Sequence, residues 1–536
     1  MTHFSVRDLL FSLICRSIPV KCLCIALAFC FNGSAQKPVP FSFKLPTACR
    51  TSAGVFRHDG TLVRTLWNNV EHKAGNHTSS WDGMDDAGRL LNDTGLIVKI
   101  LSNNVKYTWE GVIGNTSDRF TGSTVIRMFD RMHGMAIVGT TAFYAAGYTE
   151  GITSAYKFYT HDPGKKYNIP YTYGHDMHMA AEFVASDSQN VYWAGYDPFD
   201  VSKSFVFATS AADDKEIEFS SGNAIDILYG RTYTHAIDIQ TGNPVAAPKG
   251  LAVQKRGMYL FVSHPGLNEL HVLNKTSGAL VQTLSFTSPR DLAIDRNDNL
   301  WVVSATNTVQ KFTVNSNGTL SSPVLSISGL TQPLALAVSP DNSTLVVVDG
   351  GTSQQIKAFS NASAAALWTF GQAGGYASDP AVANDKFYFS DTVTMLSKPF
   401  IAFQPDGSFW VADVGNERVQ HYSSARVFID RIMCLPHSYS VVADRNNPTR
   451  VFNEYLEFQV DYSKPLAPAN GSWTLVRNWR HGITKDYFQE GKVNIFNQVV
   501  TLANGKTYAT LENCSTPDVR YPEVVELPAS GHVRYT

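Results

Sequence analysis

Charged residues are scarce in this chain of 536 residues, and neither sign is in excess. Lysine and arginine number 44, aspartate and glutamate 46, and the four types together make up 17% of the chain. A protein that neutralises a phosphate backbone needs a basic face, often with interleaved aromatic side chains. No such stripe occurs in the sequence, so nucleic acid is not an expected partner.

Cysteine is also sparse where it would matter for stability. The chain has seven cysteines, and four of them lie within its first 30 residues. The other three are Cys49, Cys434 and Cys514, which are too widely spaced for the paired thiols of a zinc site or for a disulfide scaffold. At most one bridge is expected among them. We therefore predict no metal and no cofactor, and a fold stabilised by packing.

Long apolar runs are missing as well. The most apolar stretch near the start, Cys22–Phe31, is about ten residues long and cannot span a bilayer as a helix. Small residues follow it at Gly33 and Ala35, as a signal peptidase requires. The pattern predicts a signal peptide over residues 1–35, no membrane span, and a mature protein that is secreted, periplasmic or attached to the cell surface.

A second interpretation of the leader would make Cys30 a lipidated residue. The residue before it is aromatic, whereas lipidation sites favour a small side chain at that position. Cleavage before Gln36 is therefore the favoured prediction, and lipidation remains the alternative.

Catalytic motifs are lacking too, while turn-forming and β-forming residues are abundant. The sequence contains no Gly-x-Ser-x-Gly and no His-Glu-x-x-His. Glycine, asparagine, serine, threonine and aromatic residues are plentiful, a composition typical of many short strands joined by turns. The fold class predicted from this composition is all-β.

The segment 36–118 alternates short apolar runs with turn signals. Asp59-Gly60 separates two such runs and predicts a tight hairpin. The order of this hairpin, a Trp81-Asp82-Gly83 turn, an Asp85–Arg89 turn and a last strand at 95–100 resembles the Ig-like module of the flagellar hook-capping protein family. The resemblance implies an Ig-like β-sandwich with structural roles for Trp81, Asp82, Gly83, Asp86 and Gly88. The alternative is that Trp81 is a ligand platform.

After residue 119 a strand–turn–strand unit recurs. Its first three clear copies are spaced by about forty residues, the period of one four-stranded propeller blade. We predict a β-propeller over residues 119–536 with six to eight blades, seven being favoured. The copies begin at Leu251, Leu292, Leu336 and Ile401, with fainter candidates at 136–146, 182–194, 439–460 and 497–527.

The best copy, Phe403–Gln420, is similar to an NHL repeat almost throughout. The resemblance implies structural turn and inter-strand roles for Asp413, Gly415, Asn416 and Arg418. NHL propellers include peptide-amide lyases, sensors and binding scaffolds. The metal-ligand motifs of the catalytic members have no counterpart in this sequence, so the family resemblance does not assign an activity.

Histidine and tyrosine concentrate between residues 133 and 182. A three-residue spacing such as that of His175 and His178 places two rings on one face of a helix but on opposite faces of a strand, and this region is predicted as strand and loop. No metal site is predicted from it. The residues that we single out as candidate ligand-binding groups are His133, His161, Tyr173, His175 and His178.

Two functions remain open at this stage, and the question of catalysis with them. The first is an exported binding or scaffold protein whose propeller face recognises a protein, peptide or glycan. The second is an extracellular propeller enzyme that acts on a carbohydrate or lactone through a His/Tyr-lined pocket. Convergence of the histidines at the centre of the propeller would favour the enzyme, and dispersal around its rim would favour binding.

Overall fold

The computed structural model describes most of the chain after residue 37, in which nearly all regular structure is β-strand. The chain divides into two compact units, residues 1–108 and 109–536. No helix in the described part is long and apolar enough to cross a membrane. The described ranges are 38–106, 113–114, 131–148, 153–170, 180–197, 200–221, 224–225, 232–233, 236–240, 247–305, 307–390, 398–435, 440–464, 471–482, 496–516 and 519–536.

The first unit consists of two antiparallel sheets. The two-stranded sheet pairs β1 (Val39–Leu45) with β4 (Gly75–Trp81), and the three-stranded sheet has the order β3 (Leu62–His72), β2 (Cys49–Phe56), β5 (Ile97–Asn103). The predicted hairpin at Asp59-Gly60 is confirmed, since Phe56 pairs with Leu62 across it. Trp81 is buried, and its Nε1 donates to the carbonyl of Met84 at 2.8 Å. This tryptophan therefore anchors the core of the unit.

The second unit contains six four-stranded antiparallel sheets. In each sheet the strands lie side by side in the order in which they occur in the chain, and the first strand is the innermost. Sheets I to III are β6 (Gly134–Val138), β7 (Thr141–Ala145), β8 (Ala155–Tyr159) and β9 (Asp162–Asn168); β10 (Ala180–Ser186), β11 (Asn190–Asp197), β12 (Asp200–Ser210) and β15 (Ala236–Gln240); and β16 (Gly250–Val253), β17 (Tyr259–His264), β18 (Glu269–Asn274) and β19 (Leu280–Ser285). The short pair β13 (Ala224–Ile225) and β14 (Thr232–Tyr233) lies between β12 and β15 in the chain.

The remaining three sheets repeat the pattern. Sheets IV to VI are β20 (Leu292–Ile294), β21 (Leu300–Val303), β22 (Val309–Phe312) and β23 (Leu325–Ile327); β24 (Pro333–Val338), β25 (Thr344–Asp349), β26 (Gln355–Ser360) and β27 (Ala366–Phe370); and β28 (Ile401–Phe403), β29 (Phe409–Asp413), β30 (Arg418–Tyr422) and β31 (Phe428–Met433).

The six sheets form a closed ring, so this part of the chain is a β-propeller. The first strand of each sheet contacts the first strand of the next, and β28 of sheet VI contacts β6 of sheet I. A separate apolar cluster lies between each consecutive pair of sheets. The sixth cluster joins Met135 and Tyr144 of sheet I to Ala402 and Trp410 of sheet VI. The described residues thus contain six blades, and the favoured count of seven is not reproduced.

The last part of the chain forms a different sheet. Its eight strands pair in the order β35 (Trp473–Asn478), β34 (Leu456–Val460), β33 (Asn447–Asn453), β32 (Val441–Asp444), β36 (Phe496–Thr501), β37 (Thr507–Thr516), β38 (Val519–Leu527) and β39 (Arg534–Tyr535). The segments 439–460 and 497–527, predicted as blades, therefore lie outside the ring. They join through a parallel contact of Asp444 with Val499, a pairing that no blade contains.

A buried ion pair stabilises the turn of the repeat at Phe403–Gln420, and the turn residues have the structural roles predicted for them. Arg418 Nε donates to Asp413 Oδ2 at 2.7 Å, and Asn416 Nδ2 donates to the same oxygen at 2.8 Å. The other oxygen of Asp413 accepts from the backbone N–H of Tyr388 at 2.7 Å. A Cβ on Gly415 would lie 2.4 Å from the Tyr388 ring. These side chains are therefore used inside the fold.

The eight-stranded sheet is attached to sheet VI by further buried polar contacts. Tyr455 donates its hydroxyl to Glu417 Oε1 at 3.0 Å, and Asn478 Nδ2 donates to the carbonyl of Gly415 at 2.7 Å. Arg131 lies 3.4 Å from the Glu417 carboxylate. Burial raises the pKa of Glu417, although Arg131 and Arg480 oppose the shift. The turn after β29 thus connects the ring to the C-terminal sheet.

We expect Trp410→Ala to destabilise the second unit by roughly 3–5 kcal/mol. The Trp410 ring is fully buried, stacks on His421 at 4.3 Å and meets Phe158 of sheet I edge-on at 5.5 Å, so its loss opens the interface that closes the ring. Denaturant unfolding measures the change. Trp368→Ala, which truncates a partly exposed ring on the outer strand β27, is the matched control and should cost less; equal losses would contradict this assignment.

Candidate functional site

The centre of the propeller is a channel walled by the first strands of all six sheets. Each of these strands is paired on one side only, so its free edge faces the channel. The part of the channel near the ends of these strands is a cavity of about 770 Å³, lined from every sheet. We call this cavity the funnel.

The funnel has apolar walls and a polar, basic mouth. Its walls consist of aliphatic side chains and one aromatic ring, Phe403. No aspartate or glutamate lines it among the described residues. At the mouth, where the first strands end, stand three residues that we call the rim cations: Lys255, Arg256 and Arg296. A ligand in the funnel would meet hydrocarbon inside and positive charge at the opening.

The opposite end of the channel, where the first strands begin, is occupied by charged side chains. Lys398 of sheet VI extends to Asp291 of sheet IV, with 3.4 Å between Nζ and Oδ1, and its Nζ lies 3.8 Å from the centre of the Phe183 ring of sheet II. Asp291 Oδ2 accepts from the N–H of Leu336 on sheet V at 2.8 Å. One ammonium group thus connects alternate blades across the channel.

Burial dominates the electrostatics of this pair. It lowers the pKa of Lys398, which the carboxylates of Asp291 and Glu182 partly offset. It raises the pKa of Asp291, against the attraction of Lys398 and the hydrogen bond from Leu336. Because each charge depends on the other for its solvation, loss of one partner would leave an uncompensated buried charge.

A buried His–Glu pair lies at the same end. His133, just before β6, donates from Nδ1 to Glu182 Oε2 on β10 at 2.7 Å. Burial raises the pKa of Glu182, but the fields of His133, Lys249 and Lys398 outweigh it, so the net pKa lies below the ordinary value. The Glu182 charge, with burial, raises the pKa of Tyr196. We call His133, Glu182, Lys249, Asp291 and Lys398 the plug cluster.

His133 is enclosed by protein on its other side. Its ring is fully buried, and a Cβ on Gly147 would lie only 2.8 Å from Cε1 and Nε2. Gly147 has a φ of +68°, which favours glycine, and its N–H bonds the carbonyl of Ala181 at 2.8 Å. This packing leaves no room for a substrate at Nε2.

The structure does not bring the predicted site residues together. His133 lies at the plug end of the channel. His161 is exposed in the turn between β8 and β9, at the opposite end of its sheet, where it stacks on Tyr159 with 5.7 Å between ring centres. Two strand connections, β6–β7 and β7–β8, lie between the two positions, and His161 is in the next turn. The other candidates, Tyr173, His175 and His178, lie outside the described residues.

Sequence reasoning missed Lys249, Asp291 and Lys398 of the plug cluster. Each is a charged residue one to three positions before the apolar start of a repeat, as in Lys249-Gly-Leu-Ala and Asp291-Leu-Ala. A polar residue at that recurring place was the available signal. No group of three or more histidine, cysteine or acidic side chains in the described residues is arranged to hold a metal ion.

Comparisons with known proteins find distant structural similarities to this chain. No family model matches the chain, and no curated protein matches it. Solved structures that align with it are a chain of a nidogen/laminin complex (TM-score 0.33, 15% identity, 56% of this chain and 92% of that one), the β-propeller domain of Cps50 from Myceliophteria thermophila (0.34, 8%, 57% and 84%) and a streptogramin B lyase (0.30, 10%, 61% and 89%). Similarities with TM-scores this low carry no argument about the fold or the function of this chain.

We expect Glu182→Gln to lower stability at pH 7 by roughly 1.5–3 kcal/mol, the usual net contribution of a hydrogen bond to a charged group, because it removes the carboxylate that bonds His133. The folded-state pKa of Glu182 is depressed, so its contribution is present above the unfolded value near 4.5 and is lost as pH falls through the folded value. The gap between parent and variant should therefore close in acid. Denaturant unfolding at pH 7 and pH 3 measures it, with Glu71→Gln, 75% exposed, as control. A pH-independent gap would contradict the shift.

Proposed function

We propose that this chain is an exported binding protein whose propeller holds a segment of a protein or peptide partner in the funnel. The observation that carries the proposal is the funnel itself, a cavity of about 770 Å³ with aliphatic walls and a basic mouth. Concave, mostly apolar cavities with a few polar groups at defined places are the usual form of ligand sites in proteins.

The lining favours a peptide over a glycan. Six strand edges surround the cavity, and the outward backbone groups of such edges can hydrogen-bond an extended chain. Sugars are usually held by aromatic platforms and by carboxylates or amides that bond their hydroxyl groups. Phe403 is the sole aromatic residue among those lining the funnel, and no carboxylate lines it within the described residues.

The alternative, an enzyme with a His/Tyr-lined pocket, receives less support. A general base must come within hydrogen-bond reach of the proton that it removes. His133 is buried behind Gly147 at the plug end, whereas the funnel opens at the other end. The described part of the site thus favours binding.

We expect Ala337→Phe to weaken ligand binding, because the added phenyl ring narrows the funnel. Ala337 lies on β24, is partly exposed and lines the cavity. The assay is affinity selection of a pooled library of random eight-residue peptides on immobilised protein, read by mass spectrometry. Val324→Phe, at a position 52% exposed outside the channel, is the control, and circular dichroism checks that both variants fold. Equal peptide retention by the parent and Ala337→Phe would overturn the proposal.

Export is part of the proposal and rests on the leader at residues 1–35, which lies outside the described residues. We expect the mature chain to begin at Gln36. N-terminal sequencing of protein from an exporting host decides this. A chain that begins at Cys30 with attached lipid would favour the lipoprotein alternative, and a soluble chain that retains the leader would contradict export.

A further inference from the structure

The rim cations stand together on two neighbouring blades. Lys255 and Arg256 follow β16 of sheet III, and Arg296 follows β20 of sheet IV. Arg256 Nη2 donates to the backbone carbonyl of Arg296 at 3.0 Å, which holds the two arginines side by side. Arg256 and Arg296 are exposed at the mouth. Positive charge is therefore concentrated on one side of the opening.

Two carboxylates close to the rim cations are engaged by other groups. Asp298 accepts from the backbone N–H of Lys255 at 2.6 Å and of Gly257 at 2.9 Å. Asp187 is 2.9 Å from the ammonium group of Lys275. Among the described residues, none of the three rim cations forms an ion pair with a carboxylate. The ammonium group of Lys255 donates to the backbone carbonyl of Ser186, whereas the exposed guanidinium of Arg296 forms no bond with the described residues and is available to a ligand.

We propose that the mouth of the funnel is a carboxylate subsite, and that the partner segment is an acidic peptide whose apolar residues enter the funnel. This inference rests on the proposed function. Arginine presents a planar fork of donors that matches a carboxylate in two hydrogen bonds. An aspartate or glutamate side chain at the rim would complement the cations, while its aliphatic neighbours would contact the walls. A cationic peptide would be repelled.

The test uses pooled eight-residue peptides, amidated at the C-terminus, that are random except for a central Glu-Glu, Gln-Gln or Lys-Lys pair. A fourth pool lacks acidic residues but keeps its free C-terminal carboxylate. We expect the parent to retain the Glu-Glu pool on the order of tenfold better than the Gln-Gln pool, a difference of about 1.4 kcal/mol. This preference should weaken with added salt, because the contact is exposed.

Arg296→Glu is the decisive variant, because the guanidinium of Arg296 forms no hydrogen bond or ion pair with the described residues and its reversal should leave the fold intact. It should remove the preference for the Glu-Glu pool. Arg445→Glu, an exposed arginine on the C-terminal sheet, is the matched control and should retain it. If the parent retains the fourth pool and Arg296→Glu does not, a C-terminal carboxylate can also supply the negative charge that the rim cations bind.

Three results would overturn the inference. If the parent retains the Glu-Glu and Gln-Gln pools equally and Ala337→Phe weakens both, the binding funnel stands but its mouth does not select carboxylates. Preference for Lys-Lys would show the opposite selectivity. If Ala337→Phe retains every pool as well as the parent does, the proposed function fails and the carboxylate subsite fails with it.

Discussion

Packing between sheets I and VI is the constraint on which the rest of the second unit depends. Trp410 of sheet VI lies against Phe158 of sheet I, and the same cluster includes Met135 and Ala402 from the two first strands. These residues are far apart in the chain, so bringing them together costs conformational entropy. The apolar area buried between the two sheets offsets that cost. Without closure the six free strand edges would not surround a channel.

The two ends of the channel differ because charge is used differently at each. At the plug end, Lys398 pairs with Asp291 and His133 pairs with Glu182. The fields of His133, Lys249 and Lys398 keep the pKa of Glu182 below its ordinary value. Such a cluster stabilises one arrangement of the inner strands, since removal of one member leaves its partner as an unpaired buried charge. At the mouth, backbone N–H groups hydrogen-bond the Asp298 carboxylate, and Arg256 and Arg296 are exposed to solvent.

Local pattern was sufficient for the strands but not for their partners. The apolar starts at Leu251, Leu292, Leu336 and Ile401 each became the first strand of a sheet, as the repeat indicated. The segments 439–460 and 497–527 show the same alternation and were counted as blades, yet they pair in a separate sheet of eight strands. Period-two alternation reports a half-buried strand and says nothing about which neighbour it pairs with.

The sequence by itself determined the all-β class, the repeat, the Asp59-Gly60 hairpin and the structural use of Asp413 and Arg418, because turn chemistry and side-chain alternation act over a few residues. Only the tertiary structure decided the site. Lys398 meets Asp291 across 107 positions of chain, and His133 and His161, 28 positions apart, end at opposite ends of one sheet. Antiparallel pairing within sheet I separates the two histidines. Ring closure brings Lys398 to Asp291, and closure is a property of all six blades together.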